Sequence, residues 1–123
     1  MHVLIIEDDG LSALLMQHLL RCCGYTSFDV AATEQVAVDA AARRVPDLVT
    51  ADLCLAEGNG LSAARRIRRF RPVPAVFVTG SPEAVEGCPD AVVLAKPVSF
   101  AALQEALAGI FGRGRGGSRS LSL

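Results

Sequence analysis

The sequence predicts an α/β protein: a doubly wound, five-stranded parallel sheet with helices on both faces. Three observations carry that expectation. Short apolar runs alternate with helical patterns five times along the 123 residues, and such alternation implies parallel strands joined by right-handed crossovers. The apolar half of the composition (51%) contains much Ala, Val and Leu, few aromatics and no Trp, as suits strands covered on both faces. Four of the runs end on residues able to handle phosphate. Val3–Ile6 runs into Glu7-Asp8-Asp9, Leu48–Ala51 into Asp52, Ala75–Val78 into Thr79, and Ala91–Ala95 into Lys96-Pro97.

Each element has a local reason. His2–Ile6 reads as a buried strand. A helix is expected from about Gly10 to Cys23, because Leu11, Leu14, Leu15, Leu19 and Cys22 mostly recur at three- and four-residue steps. Gly24 is its stop. Tyr25–Ala31 reads as a weaker edge strand. Thr33 caps a helix to about Arg44 with Val36, Ala37, Ala40 and Ala41 on its apolar side, and Pro46 prevents continuation. Leu48–Ala51 is the third strand, and Asp52 to Gly60 is a loop. Leu61–Arg71 is a helix stopped by Pro72. Pro74–Val78 and Ala91–Leu94 are the last two strands. Ser99 caps a final helix whose apolar face is Phe100, Leu103, Leu107 and Ile110. Residues 1–111 are therefore expected to form one domain, with 112–123, rich in Gly, Arg and Ser, as a flexible tail.

Composition narrows the function classes. A net charge of −1 does not mark the domain as a nucleic-acid binder. No segment approaches membrane-span length, and the first apolar run stops at three acids, unlike a signal peptide. A cytoplasmic location is expected. Cys22, Cys23, Cys54 and Cys88 form no C-x-x-C pair, so reduced, mostly buried thiols are expected in place of a zinc site.

In a doubly wound sheet the ligand site lies beyond the carboxyl ends of the strands, so the polar strand ends share one edge. Glu7, Asp8 and Asp52 can supply the oxygen ligands that Mg²⁺ prefers, and Asp52 can act as a carboxylate nucleophile. Phosphoryl transfer asks for positioning and charge neutralisation more than covalent work by the protein. Lys96, the chain's sole lysine, offers a compact positive charge. The Thr79 hydroxyl can bind a phosphoryl oxygen. A cis Lys96–Pro97 bond is expected.

Glu7-Asp8, Asp52, Thr79 and Lys96-Pro97, in that order on successive strand ends, resemble the receiver domain of two-component response regulators over about residues 2–111. The resemblance implies a flavodoxin-like (βα)5 fold with strand order 2-1-3-4-5, Mg²⁺ as cofactor, and a phosphoacceptor switch in place of an enzyme. Asp52 matches the aspartate phosphorylated by a sensor histidine kinase or histidine phosphotransfer protein. Asp8 matches a direct Mg²⁺ ligand, Glu7 one acting through water, and Cys54 the position that offers a backbone carbonyl to the metal. Thr79 matches the switch hydroxyl and Lys96 the lysine that pairs with the phosphoryl group. As a single-domain regulator, the protein would pass its output to a downstream protein by direct interaction or phosphorelay.

The sequence also departs from the family. The aromatic switch position three residues before Lys96 is Val93. The stretch from Thr79 to Lys96 is short and leaves about two turns of helix near residues 83–86. Ala56 replaces a frequent Pro, and Asn59-Gly60 the usual Asp-Gly. Phe77-Val78-Thr79-Gly80 is similar to the Phe-x-Thr-Gly subgroup found in some general stress-response pathways of alphaproteobacteria. Val93 and the shortened helix motivate an alternative: a receiver-like interaction module that works without phosphorylation. An aspartyl phosphatase of haloacid-dehalogenase type is disfavoured, since its second Asp would stand where Cys54 is.

The remaining residues receive plainer readings. Asp9 is a solvated loop acid, and Cys54 a passive small residue. His18 packs or is solvated on the first helix, and His2 says little. Arg65, Arg66, Arg68, Arg69 and Arg71 form a solvated helix face, with docking of an acidic partner as the alternative and nucleic acid third.

Overall fold

The computed structural model describes residues 1–80 and 92–112. Its order is β1 (His2–Ile6), α1 (Gly10–Cys22), β2 (Ser27–Ala31), α2 (Glu34–Arg43), β3 (Leu48–Asp52), α3 (Gly60–Arg68), β4 (Ala75–Thr79), β5 (Val92–Ala95) and α4 (Phe100–Phe111). The strands form one parallel sheet in the order β2-β1-β3-β4-β5, as expected. The helix expected over 83–86, Cys88 and the tail from 113 onward lie outside the described residues.

Alternation along the strands sorts the core into two layers. Leu4, Ile6, Val49, Ala51 and Phe77 face α2 and α3. Val3, Ile5, Leu48, Val76 and Val78 face α1 and α4. Side-chain oxygens of Asp9, Thr33, Asn59 and Ser99 cap the four helices, each accepting one or two of the N–H groups a helix start leaves unpaired.

Several expectations need correction. On α1 the buried residues are Ala13, Met16 and Leu20, while Leu11 (77% exposed), Leu14 (63%) and Leu15 (48%) point outward, as does Cys22. Of the expected strip Leu19 alone packs against the core, from the edge of the buried face, while the exposed leucines lie on the far side. On α2, Val36 is exposed and the alanines alone are buried. Phe100 on α4 is also exposed, while Leu103 and Leu107 are buried and Ile110 packs against the same core, as expected. α3 ends at Arg68, three residues early. The Arg69 and Phe70 amides bond back to Arg66 and Ile67, a tightened last turn, and Pro72 disfavours helical backbone at Arg71. The thiols are not mostly buried: Cys22 and Cys54 are exposed and Cys23 is half-buried.

His2 says more than its terminal position suggested. It is buried on β1, and its ring nitrogens lie 2.7 Å from Ser27 Oγ and 2.8 Å from Asp29 Oδ2. Its N–H donates to Asp47 Oδ2 at 2.7 Å. The ring thereby ties edge strand β2 to the sheet at the end opposite the acidic cluster.

Candidate functional site

Parallel pairing delivers the polar strand ends to one edge. Ile6 is paired with Ala51, Asp52 with Val78, and Thr79 with Ala95, so Glu7, Asp52, Thr79 and Lys96 emerge side by side. Lys96 Nζ donates to Asp52 Oδ2 at 2.8 Å and to Glu7 Oε1 at 3.0 Å. Both acids are buried at 8% exposure, so the ammonium neutralises charge that water reaches poorly. Asp52 Oδ1 accepts the Cys54 N–H at 3.0 Å, and Glu7 Oε2 accepts the Asp9 N–H at 3.1 Å.

The ionisation of the cluster follows from its burial. Burial pushes the Glu7 carboxyl above its ordinary value, against the hydrogen bonds from Asp9 and Lys96, and neighbouring Asp52 adds to the rise. Burial alone would lower the Lys96 ammonium; its bonds to Asp52 and Glu7 more than reverse that and leave it raised. One cation thus serves two buried carboxylates, which leaves room for further positive charge.

Glu7, Asp8 and Asp52 each bring a carboxylate oxygen within 4.8 Å of the others. That all-oxygen, acid-rich set fits Mg²⁺, which takes one or two carboxylates and shares its other positions with water and phosphate. Asp8 is exposed and accepts the Ala56 N–H at 2.6 Å, tying the end of β1 to the loop after Asp52. Cys54 is exposed in that loop and bridges to Asn59. Thr79 is buried, and its carbonyl accepts the Lys96 N–H at 2.9 Å. The Lys96–Pro97 bond is cis.

The structure adds residues that sequence reasoning passed over. Glu34, at the start of α2, accepts from Ser62 Oγ (2.8 Å), Arg66 Nη1 (3.1 Å) and the Asn59 N–H (3.1 Å). It clamps the far end of the loop that begins at Asp52. Arg66 is therefore a structural partner, while Arg65, Arg68, Arg69 and Arg71 are exposed. Gly60 opens α3 against the carbonyl of Asp52, where a Cβ would collide with that carbonyl and crowd Ala51. Asp9 is more than a solvated acid, since its carboxylate caps α1 and is held below its ordinary pKa by Ser12. Thr50, two residues before Asp52, is buried, and its hydroxyl has no hydrogen-bond partner among the described residues. Only the cap of α1 had a local sequence signal; the others depend on which segments the topology brings together.

A family model described as the response regulator receiver domain matches residues 3–108. The protein-glutamate methylesterase/protein-glutamine glutaminase 4 of Geobacter metallireducens is 42% identical over 85 residues, 68% of this chain and 24% of that protein. The phyllosphere-induced regulator PhyR of Methylorubrum extorquens is 37% identical over 83 residues, 66% of this chain and 31% of that protein. The chain thus spans about a quarter to a third of these curated relatives. The solution structure of the PhyR receiver domain of Erythrobacter litoralis superposes with a TM-score of 0.81 at 31% identity, covering 90% of each chain.

Proposed function

Because the chain belongs to the response regulator receiver domain family, in which the domain is a signalling switch served by a phosphodonor partner, we propose that it is switched by reversible, Mg²⁺-dependent phosphorylation of Asp52. The observation that carries this reading is the convergence of two further carboxylates, Glu7 and Asp8, within 4.8 Å of an aspartate whose Oδ2 lies 2.8 Å from the only lysine.

The donor is a phosphohistidine on a sensor histidine kinase or histidine phosphotransfer protein. An Asp52 carboxylate oxygen forms the new bond to phosphorus while the bond from phosphorus to the donor imidazole breaks, its electron pair leaving with the imidazole. Asp8, Glu7, Asp52 and the backbone carbonyl of Cys54 would hold Mg²⁺, which neutralises phosphoryl charge. Lys96 already stands on Asp52 and can follow the charge from carboxylate to phosphoryl oxygen. The Thr79 hydroxyl offers a hydrogen bond to the same group.

The output is a contact with a downstream protein or onward phosphotransfer. The Phe77-Val78-Thr79-Gly80 motif, 37% identity to a PhyR and 34% identity to a PhyR described as a stress response regulator support a stress-response setting. Residues 1–111 would be the signalling unit and 112–123 a tail. Among the described residues no helix is long and apolar enough to cross a membrane, which is compatible with a cytoplasmic protein.

Incubation with acetyl phosphate and Mg²⁺, followed by intact mass measurement, tests the reading. The wild type should gain one phosphoryl group and Asp52→Asn none. Label that persists in Asp52→Asn, or a wild type left unlabelled by its cognate kinase, overturns it. Val93, half-buried against the α2/α3 core, favours the second reading, a module that works without phosphorylation. That module would show no Mg²⁺-dependent spectral change on addition of beryllofluoride.

A further inference from the structure

At the end of the sheet opposite Asp52, the chain enters β3 and β4 through two neighbouring turns. Arg43-Arg44-Val45-Pro46-Asp47 leads from α2 into β3, and Arg68-Arg69-Phe70-Arg71-Pro72 leads from α3 into β4. The Val49 N–H donates to the Pro74 carbonyl at 3.0 Å, so the turns lie side by side. Seven of the chain's eleven arginines fall between residues 43 and 71. Arg66 is paired with Glu34, and Arg65 is engaged as well. Arg43, Arg44, Arg68, Arg69 and Arg71 are exposed, and no ion pair among the described residues reaches them. Phe70 stands among them at 50% exposure. A cavity of about 290 Å³ opens between the turns, with Val45, Pro46, Pro72 and Val73 as hydrocarbon walls and Asp47 and Arg71 as polar ones.

The helix dipole accounts for part of this cluster. Arg43 and Arg68 sit in the last turns of α2 and α3, where positive charge is favoured. It does not account for Arg71, beyond the cap of α3, or for an exposed aromatic ring between two arginines. Guanidinium groups bind carboxylate and phosphate alike through paired N–H donors, so the rest of the surface decides between them. A nucleic-acid binder spreads positive charge over a basic domain. This chain has a net charge of −1, with Glu7, Asp8 and Asp52 gathered at its other end. The cavity walls and Phe70 are apolar, and a sugar-phosphate backbone would leave them uncovered. A polypeptide can fill the cavity with one side chain while its carboxylates meet the arginines. Asp47 keeps those carboxylates to the arginine side of the cavity, and its own Oδ2 is taken by the His2 N–H at 2.7 Å.

We propose that this end of the protein is a docking surface for an acidic polypeptide segment that carries an apolar residue among its Asp and Glu side chains. The acids pair with Arg44, Arg69 and Arg71, and the apolar residue fills the cavity between the two turns. The surface stands at the other end of β3 from Asp52. Its occupancy can be measured without Mg²⁺ or phosphodonor, so the outcome is independent of whether Asp52 is phosphorylated.

The test is fluorescence anisotropy with the full chain at physiological ionic strength, where long-range surface attraction is largely screened. The probe is a fluorescein-labelled twelve-residue peptide of Asp and Glu with two central Leu residues. Three labelled comparisons accompany it: the same peptide with Asn and Gln for the acids, the same peptide with Ser for Leu, and a single-stranded oligonucleotide of equal charge. Saturable binding of the acidic Leu peptide is expected, with each comparison weaker. Arg69→Glu combined with Arg71→Glu should weaken it roughly tenfold or more, and Arg44→Glu roughly fivefold. Arg21→Glu, the same charge change on α1, should leave it unaltered. If the double variant fails to fold, Arg44→Glu against Arg21→Glu decides the matter. Four results overturn the proposal: no saturation, equal losses in Arg21→Glu and the variants of the two turns, a Ser-for-Leu peptide that binds as tightly, or an oligonucleotide that binds more tightly than the peptide.

Discussion

On the face of the sheet covered by α2 and α3, seven of the fourteen buried core residues are alanines. On the face covered by α1 and α4, one of eleven is, and Met16, Leu20, Tyr25, Leu103 and Leu107 do the filling. Short side chains let helices approach the sheet closely, so the first face has α3 starting against the Asp52 carbonyl and Glu34 bonded across to α3. The second face has larger side chains, a cavity and an unpaired hydroxyl. Asp52 stands at the rim of both. One face fixes where its backbone runs, and the other leaves space beneath its side chain.

The close-packed face should be the less forgiving, and Gly60 tests it most severely. Gly60→Ala places a methyl against the Asp52 carbonyl, and backbone cannot rotate away as a side chain does. A loss on the order of 3 kcal/mol is expected in urea unfolding, together with slowed labelling of Asp52 by acetyl phosphate. A neutral outcome would mean that α3 can retreat from β3, and the contrast between the two faces would weaken.

Glu34 sharpens the same point through pH. Hydrogen bonds from Ser62, then Arg66, with a further one from the Asn59 N–H, hold its carboxyl below the ordinary value of 4.5. A carboxyl lowered in the folded state stabilises the fold above its unfolded pKa, and that contribution is lost as pH falls through the folded pKa. The wild type should therefore lose stability on acidification below about pH 4.5, and part of that slope should be absent in Glu34→Gln. At neutral pH the variant should be less stable by about 1 kcal/mol, as the Arg66 pairing is weakened. Urea midpoints measured across pH 3–7 check both.

These two residues also mark where sequence reading stops. The strand ends were legible because an apolar run that breaks into acid, threonine or lysine is a local pattern, and parallel topology sends all such breaks to one edge. Strand order followed from a family likeness. Glu34 carries no local mark, because its meaning lies in partners reached only after folding, and Gly60 shows in the sequence only as half of Asn59-Gly60, with no sign of its close approach to Asp52. The exposed leucines of α1 misled for a different reason. Leucine spacing points to one strip of α1, while the helix buries the face holding Ala13, Met16 and Leu20. Thr50 was hidden inside an apolar run, where a threonine reads as a β-former. His2 reads as a terminal residue in the sequence, although its ring meets Ser27 and Asp29 on β2.

On the looser face, removing the unpaired hydroxyl should help. Thr50→Val keeps the shape and deletes a polar group that has no partner, so a gain of about 1 kcal/mol is expected, read as a higher urea midpoint with unchanged m-value. A loss of similar size would show that the hydroxyl is satisfied in solution.

The smallest effect is expected within one helix. Leu14→Ser alters a side chain that is 63% exposed, and stability should move by no more than about 0.5 kcal/mol. Leu20→Ala, six residues along the same helix at 0% exposure, should cost on the order of 3 kcal/mol. The pair separates two explanations of a leucine-rich helix. If both changes cost alike, α1 packs through its leucine strip, the cavity beneath it is closed, and the two faces of the sheet are equally filled. If only Leu20→Ala is costly, Leu14 contributes nothing to the fold of this domain, and the face holding Ala13, Met16 and Leu20 carries the packing of α1.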